Sequence, residues 1–129
     1  MRIFSVLLFI ISLAVAQTPS SVNKEIDKLS KKLEKKVIEW RRDFHQNPEL
    51  SNREFKTAEK VAKHLRSLGM EVQTGVAHTG VVGLLKGGKP GKVVALRADM
   101  DALPVKEKVD LPFASKAKGI YQEKEVDVM

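Results

Sequence analysis

Apolar residues recur along the chain with one period in its first half and another later, which predicts two helices followed by strands. From Val22 they fall at Ile26, Leu29, Leu33, Val37, Trp40 and Phe44, in alternating steps of three and four. That is one stripe on a long helix, with Ser20 or Ser21 as its cap. Pro48 breaks the pattern inside HQNPELSNREF. Ser51, with Glu54 three residues on, makes a candidate capping box for a second helix, whose stripe is Phe55, Ala58, Val61, Ala62, Leu65 and Leu68. Gly69 stands where the C-terminal cap of that helix is expected. The period then shortens: MEVQT reads as a short strand, VVGLLK as a buried one and KVVALR as another, with GGKPG between the last two. The short Gly/Pro turn predicts that those last two strands form an antiparallel hairpin, so the chain reads as an α/β or α+β unit. Beyond Pro104 the periods weaken, and there is no internal repeat or low-complexity segment.

The start of the chain needs a separate reading. MRIFSVLLFIISLAVAQTPS carries one charge at Arg2, an apolar run from Ile3, and Ala14-Val15-Ala16 before the polar Gln17. This is the layout of a secretory signal peptide over residues 1–16. Its run is short of the ~20 apolar residues of a permanent span, so a stable membrane span is not expected. The implied product is a secreted or periplasmic protein beginning at Gln17. There is no cysteine, so nothing is stapled. Residues 17–129 suffice for one small domain, or for the beginning of a larger one.

The formal net charge is +7, and much of the excess lies between Lys24 and Arg42, which raises the question of an anionic partner. Glu25, Asp27, Glu34, Glu39 and Asp43 are interleaved with those lysines, and Asp27 stands four residues before Lys31. A solvated helix face explains this better than nucleic acid does.

The sharpest chemical feature is KVVALRADMDALPV, residues 92–105, where a buried-type strand ends in Arg97, Asp99 and Asp101. In an extended chain the two aspartates share a side, and two like charges held close favour a cation or a proton. A strand end leaving the core for solvent is the plainer alternative. Other candidates fall away. GLLKGGK has phosphate-loop spacing up to Lys89, but Pro90 replaces the hydroxyl residue and a strand is expected where a helix is needed. His45, His64 and His78 include no i,i+4 pair, and Ser51 lacks a nucleophile-elbow context. Two aspartates alone do not make a zinc site, which usually has three protein ligands and water.

FHQNPELSNREFKTAEKVAKHLRSLGMEV, HTGVVGLLKGGKPGKVVALRADMDALPV and the trailing YQEKEVDVM together resemble the N-terminal part of the metal-dependent amidohydrolases of the hippurate hydrolase, aminoacylase and auxin-conjugate hydrolase family, relatives of carboxypeptidase G. The resemblance is collinear from about Val37 to Met129. It implies an α/β zinc-peptidase-like catalytic domain of which this chain is an incomplete start, two helices and then a β-hairpin of a mixed sheet. It also implies cleavage of the amide of an N-acyl amino acid or small peptide by a complete enzyme carrying zinc or manganese. The family's metal-binding motif, His-Ala-Cys-Gly-His-Asp, would follow Met129, so residues 17–129 are expected to be truncated before it, to hold no metal and to be inactive alone. In the carboxypeptidase relatives a metal-binding histidine matches Asp99, and an aspartate matching Asp101 steadies it. The resemblance thus implies that Asp99 and Asp101 border the metal site and orient its ligands without being ligands themselves. Homodimerisation is left open. The alternative is a noncatalytic secreted basic module that binds an anionic surface through Lys24 to Arg42, with strong salt dependence.

Overall fold

A computed structural model of the protein describes residues 20–129; the expected signal peptide, residues 1–16, and Gln17 lie outside the described residues. The described elements are α1 (Ser20–Gln46), α2 (Phe55–Ser67), β1 (Glu71–Val76), β2 (Gly80–Leu84), β3 (Lys118–Tyr121) and β4 (Lys124–Asp127). The chain divides into two compact units, Met1–Lys35 and Lys36–Met129. Among the described residues no helix is long and apolar enough to cross a membrane.

In the first unit the described part is the beginning of α1. Val22, Ile26, Leu29 and Leu33 line one stripe, as their spacing predicts, and each stays about half exposed. The lysines and acids between them are exposed too, which is the solvated face that the interleaved charges imply.

In the second unit α2 packs on a hairpin of β1 and β2. Ala62, from the predicted apolar stripe of α2, is fully buried. The helix ends where Gly69 was expected to end it. Gly69 adopts φ 78°, its N–H donates to the Arg66 carbonyl at 2.9 Å, and Met70 N–H donates to the Leu65 carbonyl at 3.3 Å. This paired closure satisfies two orphan carbonyls, and the left-handed φ suits glycine.

The start of α2 corrects the capping-box reading. Glu54 occupies the N-cap position without a side-chain cap bond, and Ser51 lies in the preceding turn. The orphan donors are met instead by Glu49, whose carboxylate accepts from Thr57 N–H at 2.7 Å, the Thr57 hydroxyl at 2.8 Å and Lys56 N–H at 3.3 Å. A carboxylate at this end also complements the helix dipole.

Strand pairing departs from the expectation more widely. β2 pairs with β1, not with residues 92–97: Glu71 faces Leu84 and Val76 faces Gly80, with an irregularity between Thr74 and Val76. Residues 92–97 form no strand, and Val93, Val94 and Leu96 are 88%, 82% and 96% exposed. Two physical causes favour this outcome. Closing β1 on β2 orders only the short loop after Val76, whereas a run that is apolar on both faces needs neighbours the described residues do not supply. A second hairpin, β3 with β4, turns through Gln122 and Glu123 at φ 48° and 64°. β3 passes so near Leu50 that a Cβ on Gly119 would stand 2.8 Å from Leu50 Cδ1, and Leu50 and Val128 form the buried core there.

Candidate functional site

The sequence places Asp99 and Asp101 two residues apart, and backbone contacts anchor the residues immediately after them. Ala102 N–H donates to the Glu49 carbonyl at 2.8 Å, and Leu50 and Ala102 form a parallel bridge. Leu103 and Met129 exchange two backbone hydrogen bonds, at 2.9 and 3.0 Å. Three stretches distant in sequence, PEL (48–50), DALP (101–104) and the end of VDVM (126–129), are thereby brought side by side.

Against this junction lies a cleft of ≈ 470 Å³, to which Asp101, Ser51, Asn52, Arg53 and Tyr121 contribute. Arg53 is held across it, its Nη1 donating to the Ile120 carbonyl at 2.6 Å. Asp101 has neither a hydrogen bond nor an ion pair among the described residues, so its carboxylate is free to accept one from a ligand. Asp99 is differently placed. It accepts from Arg97 Nη2 at 2.9 Å, does not line the cleft, and the pair is largely exposed, so the contact contributes little to stability.

No histidine lines this cleft. His45 Nε2 is 2.6 Å from Glu107 Oε2, the His64 ring meets Trp40 edge-on at 4.8 Å between centroids, and His78 lies 3.1 Å from the Asn52 carbonyl. Among the described residues no three His, Cys, Asp or Glu side chains come close enough together to hold a metal ion. The donor set there does not fit a two-metal centre, which needs more ligands than Asp99 and Asp101 provide.

Sequence reasoning missed three carboxylates whose partners lie elsewhere in the chain or in its turns. Glu54 is buried and accepts from the Thr79 hydroxyl at 2.8 Å. Burial pushes its carboxyl upward, but hydrogen bonds from its own N–H, the Thr79 hydroxyl and the amides of Asn52 and Arg53 outweigh that and leave it below the ordinary value. Glu107 is lowered by the Val109 amide first and then by His45, and Asp127 by its hydrogen bond with Lys118. The visible signal for Glu54 was its spacing from Ser51, which suggested a cap; nothing in sequence pairs it with Thr79.

These shifts fix a sign. Carboxylates depressed on folding contribute stability that is complete above their ordinary range of about 4 and is lost as pH falls through the folded values. The urea midpoint should therefore drop between pH 5 and pH 2.5. Asp127→Asn should flatten that drop, and an unchanged acid profile in this variant would show that its pairing with Lys118 adds nothing.

No family model matches the chain. It is 56% identical over 91 residues to Thermostable carboxypeptidase 2 of Saccharolobus solfataricus, covering 70% of this chain and 23% of that protein. It is 45% identical over 97 residues to the N-acyl-L-amino acid amidohydrolase of Geobacillus stearothermophilus, covering 75% of this chain and 26% of that one. Among solved structures, Bacillus subtilis YxeP, described as a dinuclear metal binding peptidase from the M20 family, superposes with a TM-score of 0.64 at 38% identity, over 77% of this chain and 26% of YxeP. The chain thus spans about a quarter of the length of the relatives it matches.

Proposed function

We propose, from the chain's homology with the M20 peptidases and amidohydrolases, that it forms the amino-terminal part of the catalytic domain of a secreted, metal-dependent enzyme that hydrolyses the amide bond of N-acyl amino acids or small peptides. The observation that carries this reading is the junction of PEL, DALP and VDVM, which pins the free carboxylate of Asp101 at the mouth of a cleft. Asp101, and to a lesser degree Asp99, would orient the ligands of a zinc or manganese centre, those ligands being supplied by the rest of the enzyme. The relatives do not favour the noncatalytic basic module.

Two forms of the protein test the activity: the chain as it stands, and the chain joined to the remaining three-quarters of the S. solfataricus carboxypeptidase. With zinc or manganese and hippurate, the chain alone should release no glycine, and the joined protein should turn over N-acyl substrates. A joined protein that folds, binds metal and hydrolyses none of them would remove the assignment. Secretion rests on the layout of residues 1–16, and intact mass of exported material should give a chain starting at Gln17. Met1 retained in that material would count against it.

A further inference from the structure

Four apolar residues of the first unit form a stripe on α1 that is left uncovered. Val22, Ile26, Leu29 and Leu33 are each between 44% and 52% exposed. They lie outside the stretch, from about Val37 onward, whose sequence resembles the M20 proteins. Their steps of four, three and four read the same in either direction. A second copy laid antiparallel therefore sets Val22 against Leu33 and Ile26 against Leu29, so the stripe is complementary to itself. At about 3.6 residues per turn, Glu25 and Lys32 flank the stripe on one side, and Asn23 and Ser30 flank it on the other. Among the described residues neither Glu25 nor Lys32 has an ion-pair partner. Antiparallel copies bring Glu25 of each beside Lys32 of the other, and Asn23 beside Ser30. Parallel copies would instead set the charged flank of one against the polar flank of the other.

We infer that residues 22–33 of α1 are a self-association surface, and that its occupant is the same segment of a second copy in antiparallel orientation. α1 is one helix of 27 residues, so the surface is formed before the copies meet and less order has to be imposed on association. A seam this short gives a weak, reversible dimer. The placement of charge favours a second copy over a lipid surface. Lys24, Lys31 and Lys35 lie opposite the stripe, so they would point away from a bilayer that buried it, while Glu25 would be drawn to the headgroups. The inference uses none of the residues assigned to the proposed reaction.

Sedimentation equilibrium of the full chain should show monomer and dimer exchanging with a Kd on the order of 10–100 µM. Leu29→Lys should leave only monomer while keeping the helical circular dichroism, since Leu29 is half exposed. Glu25→Lys should weaken dimerisation by about 10-fold, and adding Lys32→Glu should bring it back to within about 3-fold of the parent, because exchanging the signs restores both pairs. The chain has no cysteine, so introduced thiols report the orientation directly. A mixture of Val22→Cys and Leu33→Cys chains should oxidise to the mixed disulfide faster than either variant does with itself. A chain that stays monomeric throughout that range overturns the inference, and so does a dimer that survives Leu29→Lys or that the exchange of signs fails to restore. Disulfides formed only between like variants would overturn the antiparallel pairing. Binding of the monomer to vesicles of anionic phospholipid, lost on Leu29→Lys, would assign the stripe to a bilayer instead of a second copy.

Discussion

Glu54→Ala should cost the second unit about 1–3 kcal/mol of stability. Its carboxylate is buried and accepts from the Thr79 hydroxyl at 2.8 Å. Removing it leaves the buried Thr79 hydroxyl without its acceptor, and a buried donor left unmet costs on the order of 1–3 kcal/mol. The buried apolar core is small, comprising Leu50, Ala62 and Val128 among the described residues, so little else can absorb the loss. Thr79→Val removes the hydroxyl together with its need for an acceptor, and should cost only about 1 kcal/mol. In urea titrations followed by circular dichroism, the double variant should be less destabilised than the sum of the two, because the Thr79 loss is already contained in the Glu54 one. Strict additivity would mean that the two side chains do not act as one network.

Both helices could be read from their apolar periods, because the spacing of a helical stripe is written locally, whether the stripe stays half exposed as from Val22 to Leu33 or includes a buried residue such as Ala62. Gly69 was legible for the same reason, since a left-handed closure needs a residue without a Cβ. The strands were harder. KVVALR has stronger strand composition than any segment that forms one, but pairing is decided by what lies beside a run, and composition records nothing of neighbours. The turns of the two real hairpins were hidden because left-handed positions usually filled by Gly or Asn are held here by Ala77, His78, Gln122 and Glu123. At the site, the acidic strand end was visible from residue order alone. Its separation into a free Asp101 in a cleft and an Asp99 tied to Arg97 was not, since extended geometry puts both on one side and only the tether at Ala102 distinguishes them.

That separation gives the two aspartates unequal expected effects in the joined protein. Asp101→Asn keeps the shape of the side chain and removes the charge that would hold and polarise a ligand, and loss of such a partner typically lowers metal affinity or activity by about 10 to 100-fold. Asp99→Asn should do less, because Asp99 already spends one oxygen on Arg97 and lies off the cleft. Both side chains are exposed in the chain alone, so neither change should move the urea midpoint of that chain, and that constancy distinguishes a positioning role from a structural one. The measurements are zinc or manganese affinity by equilibrium dialysis and the rate of amino acid release from N-acyl substrates, taken on both variants and the parent. An Asp101 variant matching the parent in both would reduce the acidic pair to a strand end meeting solvent. An Asp99 variant weaker than the Asp101 one would move the contact with the ligands to the residue now paired with Arg97, and would require that pair to open when the enzyme assembles.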